Sequence, residues 1–135
     1  MSNISTDWAN SILAHIFGKT PYTAPAHIYV ALSTTLPTDV GGNMTPPSGN
    51  GYARLQTSPS DWGTAASRQI ANGLLVEFAE ASGDWGTPSY FALYDALTGG
   101  VFLGWGPITT PKPIGNGDKA KFAIGTLVVK FNPSA

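Results

Sequence analysis

The stretch Ser89-Tyr90-Phe91-Ala92-Leu93-Tyr94-Asp95, followed after Ala96-Leu97-Thr98-Gly99-Gly100 by Val101-Phe102-Leu103-Gly104-Trp105-Gly106, decides the fold class. Each run has the length and the aromatic and aliphatic content of a strand. The Thr98-Gly99-Gly100 segment between them supplies the positive φ that a tight connection needs. The reading is a hairpin with strands over 89–95 and 101–106.

The same pattern extends in both directions. Upstream, His27 to Ser33 alternates, with Ile28, Val30 and Leu32 on one face. Tyr52 to Thr57 and Leu74 to Ala79 read as two further strands. Alternation places Tyr52 and Arg54 on one face, opposite Ala53 and Leu55. Arg54 is therefore expected to pair with a turn acid, Asp84 or Asp95, and Arg54→Ala to lower thermal stability. Downstream, Lys121 to Phe131 reads as one long closing strand with Phe122, Ile124, Leu127 and Val129 in the core. A bulge at Gly125 would absorb its change of register. Between these runs lie Pro- and Gly-rich loops, 34–50 and 111–118. The first contains the strong turn signal Pro46-Pro47-Ser48-Gly49-Asn50-Gly51.

One segment has the other periodicity. Trp8, Ile12 and Ile16 recur every four residues, with Leu13 and Phe17 beside them. Ser5, Thr6 and Asp7 offer capping groups, Gly18 can end the helix, and Pro21 and Pro25 forbid its continuation. Its apolar stripe faces either its own β core or a neighbouring subunit. The expected fold is all-β, an antiparallel β-sandwich or partly closed barrel with one short N-terminal amphipathic helix. A single domain is expected over 1–135, with the helix of 1–20 packed on or beside a β-sandwich of 26–131.

Composition narrows the function. The chain has 135 residues, no cysteine, 7 basic and 8 acidic residues, and only 11% charged residues. Disulfides and thiolate metal sites are excluded. The charge balance gives no basic patch for nucleic acid. With 16 Gly and 11 Pro, the surface is built from small polar residues that resist association weakly. A homo-oligomer or a permanent partner is expected. No stretch is long enough to span a membrane, and Met1 to Asp7 lacks the features of a signal peptide. Synthesis in the cytoplasm of the producing cell is expected.

Chemistry-bearing patterns are sparse. The two histidines, His15 and His27, have no metal-ligand spacing. No nucleophile elbow or phosphate loop occurs. Asp61, Asp84 and Asp118 sit in turn sequences, and Glu77 and Glu80 flank a strand, so no carboxylate pair is indicated. No catalytic, cofactor-binding or metal-binding residue is assigned, and the chain is read as a non-enzyme. Asp61-Trp62-Gly63-Thr64 recurs as Asp84-Trp85-Gly86-Thr87, which reads as a pair of turns. Trp85 and Trp105 are expected in the core. Trp62 and Tyr22 lie in loop-like surroundings and are the candidates for surface aromatics. The interface candidates are Trp8, Ile12, Ile16, Trp62 and Tyr22.

Further motifs run the length of the chain. They are Tyr22-Thr23-Ala24-Pro25, Leu36-Pro37-Thr38-Asp39, Gly51-Tyr52-Ala53-Arg54, Leu93-Tyr94-Asp95-Ala96, Thr109-Thr110-Pro111-Lys112 and Gly125-Thr126-Leu127-Val128-Val129. In this order and spacing the chain resembles a family of small bacteriophage tail-fibre-like proteins, from about Ile4 to Phe131. The resemblance implies a non-enzymatic structural protein of the virion, made in the host cytoplasm and assembled onto the particle. Its partners would be other virion proteins, capsid or tail subunits. No heptad or collagen repeat supplies a fibre shaft. The expected role is a tail-fibre-like component or a capsid decoration (cement) protein. The alternative is a tail module that binds a host-surface glycan.

Overall fold

A computed structural model describes residues 3–131. Its centre is the hairpin that the sequence picked out. Strands β6 (Tyr90–Tyr94) and β7 (Phe102–Pro107) pair antiparallel, and β2 (Ile28–Ser33) pairs with the other side of β6. Short strands close the edges of this sheet. β1 (Asn3–Ile4) lies against β7, and β3 (Leu55–Thr57) lies against β2, giving the order β1-β7-β6-β2-β3.

Two small antiparallel pairs complete the second layer. β4 (Gln69–Ile70) joins β9 (Val129–Lys130), and β5 (Val76–Glu77) joins β8 (Lys121–Phe122). The sheets form a sandwich-like arrangement, and no closed barrel exists among the described residues.

Alternation sorts the side chains of the main sheet. Val30, Leu32, Phe91 and Leu93 enter the main core with Phe78, Trp85, Phe122, Leu127 and Val129. Ala31, Ala92 and Phe102 form a second cluster on the opposite face, with Met44, Tyr94 and Trp105 against it. Phe102 and Trp105 would face opposite ways in a regular strand. A register shift opposite Leu93 and Tyr94 puts both on the second face and sends Leu103 into the core. Trp85 is therefore a core residue as expected, whereas Trp105 is half-buried. It reaches across the second face to donate its Nε1 proton to Asp39 at 3.3 Å.

The helix α1 (Thr6–Ile16) starts where the sequence placed it. Buried Ser5 is the N-cap, and its Oγ accepts from Trp8 N at 3.0 Å. The Ser5 N–H donates to Leu103 O, so the cap also fastens the helix to β7. Gly18 takes the left-handed conformation that ends the helix.

Three expectations are corrected. First, the segment 121–131 is not one strand. β8 and β9 belong to different sheet pairs, and a turn at Ile124 and Gly125 separates them. Gly125 has φ +83° in that turn rather than forming a bulge, and Ile124 points into solvent. The cause is Asn72, buried beneath the turn. Its Nδ2 donates to the carbonyls of Leu74, Phe122 and Ala123, and its Oδ1 accepts from Leu127 N. These bonds replace ladder bonds and redirect the chain from one pair to the other.

Second, Tyr52 and Arg54 precede β3 instead of lying within it, and they do not share a face. Tyr52 packs on the main core, stacked on Phe78 and edge-on to Trp85. Its hydroxyl accepts the Leu32 N–H at 3.0 Å, two residues beyond the last β2–β3 pair, Val30 with Leu55. Arg54 lies on the other side, its guanidinium 3.5 Å from the centroid of the Tyr94 ring. Third, Arg54 does not pair with Asp84 or Asp95. Its Nη1 donates to the carbonyls of Ala96 and Gly99 at 2.9 and 2.7 Å, bracing the β6–β7 connection. Asp95 instead accepts from Val101 N, and Asp84 from Gly86 N. Among the described residues one ion pair forms, Lys121 with Glu77 at 3.7 Å, and it is solvent-exposed.

Candidate functional site

The first turns of α1 bring Trp8, Ala9 and Ile12 onto the main core. The contact is incomplete, and apolar hollows remain on both sides of Trp8. One, of about 320 Å³, is walled by Ala24 and Pro25 from the segment after the helix and by Pro59, Trp62 and Gly63 from the loop after β3. Ile28, Ile70, Leu93 and Val129 reach its base. The other, of about 240 Å³, lies between Ile12, Ile4, Ala65, Arg68 and Phe131. The two hollows share Trp8, Ile70 and Val129, so they read as one groove crossed by the Trp8 ring.

Local chemistry fixes each wall. The Trp8 Nε1 proton goes to the Tyr22 hydroxyl at 2.7 Å, and the Tyr22 N–H goes to His15 Nδ1 at 3.1 Å. The segment after the helix is thereby tied back to both ends of α1. Burial pushes the Tyr22 hydroxyl above its ordinary pKa, the nearby Asp95 charge adds to this, and the Trp8 bond opposes it. The phenol stays neutral and the tie persists through neutral pH.

On the opposite wall, the Trp62 Nε1 proton goes to Thr57 Oγ1 at 2.9 Å. Its backbone is held by a close approach of two chain segments. Gly63 N donates to Ala71 O and Gly73 N to Asp61 O, each at 2.8 Å. A Cβ on Gly73 would lie 3.3 Å from the Gly63 Cα, so both positions need to be small. The echo Asp84-Trp85-Gly86 serves a different end. There Gly86 takes a positive φ, and Trp85 is buried with Nε1 on Asn50 O.

Of the five interface candidates, Trp8, Ile12 and Trp62 line this groove, and Tyr22 holds Trp8 in place. Ile16 stands apart, on the exposed end of the helix. The lining is almost wholly apolar, with Arg68 and Gln69 at one rim. Such a groove can hold an apolar side chain or segment. It offers no nucleophile, base or ligand set for chemistry. Among the described residues, no group of three or more His, Asp or Glu residues gathers as a metal site, and no helix is long and apolar enough to cross a membrane.

A family model described as Podophage GP4 fiber I protein gp80 matches residues 3–130. The chain belongs to this family. No curated protein matches it. The resemblance to phage tail-fibre-like proteins thus holds over nearly the whole chain, and the fibre protein is a structural component of a phage particle.

In the floor of the groove of this fibre protein, Ile70 was the residue that the sequence did not disclose. Ile70 sits in a two-residue strand, too short to give a periodic signal. Pro25 was visible as a helix stop and as part of Tyr22-Thr23-Ala24-Pro25, and Gly63 only as part of the repeated tetrapeptide. Val129 was recognised as apolar and inward-facing, which is correct, but its second role in the groove depends on which elements flank it.

Proposed function

We propose that this chain is a non-enzymatic fibre component, acting as one domain, that joins a neighbouring virion subunit through the groove beside Trp8. It is made in the host cytoplasm and built into the particle there without a cofactor. The observation that carries this reading is the apolar groove itself, walled by Trp8, Ile12 and Trp62 and braced by the Trp8–Tyr22 bond. Apolar surface held open in this way favours a protein partner, because covering it removes it from water. Of the two positions on the particle, the fibre is favoured over the capsid shell, because the family description names a fibre. Glycan binding at Trp62 and Tyr22 is less favoured, since both rings are partly buried and Tyr22 is engaged in holding Trp8.

The test fills the groove from its exposed rim. Ala24→Arg with Ala65→Arg should leave the melting temperature near that of the parent, because both alanines are exposed. Particles assembled with this variant as the sole source should lack the protein on gels and in electron-microscopic density. Incorporation at the parental copy number would refute the docking reading. Density of the parent protein at the capsid surface instead of the tail would return the decoration role.

A further inference from the structure

The stripe Trp8, Ile12, Ile16 runs off the edge of its own core. Trp8 and Ile12 pack on the β domain, but Ile16 and its neighbour Phe17 are 70% and 73% exposed, with Leu13 at 49% beside them. Together these three side chains leave on the order of 400 Å² in water, about half of the ~800 Å² that each partner contributes to a standard interface. Ile16 lies roughly 12 Å along the helix axis from Trp8, at about 1.5 Å per residue. An apolar knob and an apolar groove thus occupy opposite ends of one short helix.

We infer that a second copy of this chain occupies the groove, with the two α1 helices antiparallel about a twofold axis. The inference rests on the docking reading and names its partner. In a twofold contact, residue i of one copy meets residue j of the other, and j meets i. The Ile16–Phe17 knob of each copy then covers the Trp8 groove of its partner. Both knobs and both grooves are used in one closed contact, and the groove adds to the area that the knob alone supplies.

Charge complements the shape. Asp7 lies in the first turn and Lys19 just past the last. Neither forms an ion pair within the chain among the described residues. The antiparallel arrangement sets each Asp7 beside the partner's Lys19 and opposes the two helix dipoles favourably.

Sedimentation of the intact chain over a concentration series tests this. The parent should form dimers. Ile16→Asp with Phe17→Asp, and separately Ala24→Arg with Ala65→Arg, should raise the dissociation constant at least about tenfold. All four positions are exposed, so unchanged melting curves will show that both variants fold. Asp7→Lys and Lys19→Asp should each weaken self-association, and their mixture should form mixed dimers in preference to either alone. A monomeric parent, or dimers that survive either apolar variant, would overturn the inference. Dimers with no preference in the charge-reversed mixture would overturn the antiparallel arrangement. A monomeric parent whose groove variant is still lost from particles defeats the dimer and leaves the docking reading intact.

Discussion

Arg54 directs its charge at two carbonyls and a ring, and the consequence is measurable. Two charge-assisted hydrogen bonds and a cation–π contact hold the β6–β7 connection. Arg54→Ala should cost about 2 kcal/mol, seen as a fall of roughly 4–8 °C in melting temperature. Arg54→Lys should recover less than half of this, because an ammonium cannot stack on Tyr94 and bond both carbonyls in one plane. That Arg54 would be held at a turn was legible in the sequence, but its partner was not. Carbonyls carry no side-chain signature, so a search for an acid was bound to select Asp84 or Asp95.

Tyr52 makes the second prediction at this scale. Burial pushes its hydroxyl pKa above the ordinary 10.0, against the opposing pull of the Leu32 N–H bond and the Arg54 charge. The unfolded chain therefore loses this proton at lower pH than the folded one. Stability from this group is complete below about pH 10 and is lost as pH rises through the folded-state value. Tyr94 and Tyr22, also raised by burial, act in the same direction. Denaturant titrations should show a steep alkaline loss of stability. Tyr52→Phe should make that slope shallower while costing about 1–3 kcal/mol at neutral pH, because the Leu32 N–H loses its acceptor.

At the scale of elements, the strands with clean alternation were legible and those with short pairings were not. β2, β6 and β7 follow from the alternation of 28–33 and the hairpin 89–106. β1 and β4 are two residues long and carry no pattern of their own. Leu74 and Leu75 are exposed, and only Val76–Glu77 of that run pairs. The odd step from Ile124 to Leu127 did mark a break in segment 121–131. A bulge and a turn both accommodate such a step, and the decision comes from Asn72, far away in sequence. Asn72→Ala should therefore cost about 3 kcal/mol or more in urea unfolding, since it strips four hydrogen bonds from a buried turn. Asn72→Asp should be worse at neutral pH, where a carboxylate would face three carbonyl oxygens, and should recover partly in acid, where it can donate.

For the whole molecule, the sequence showed what kind of surface to expect but not where its parts would meet. Trp8 and Ile12 were recognisable from helical spacing, and Trp62 from its loop setting. Their meeting in one groove depends on the Gly63–Gly73 approach and on the β4–β9 pair, neither of which leaves a local trace. The same dependence separates Ile16 from the groove, because nothing in the spacing shows where the β core ends.

The one ion pair among the described residues, Lys121 with Glu77, lies in solvent, which bears on how the fold responds to salt. A fold held by apolar contact, and by charged groups such as Arg54 and Asp95 bonded to backbone atoms more than to one another, gives dissolved ions little to screen. Melting temperatures in dilute buffer and in molar sodium chloride should differ by no more than a few degrees, whereas a fold held by ion-pair networks would weaken markedly. On that expectation the described fold keeps its stability from rainwater to evaporating brine, and the same melting series extended over that range would check it.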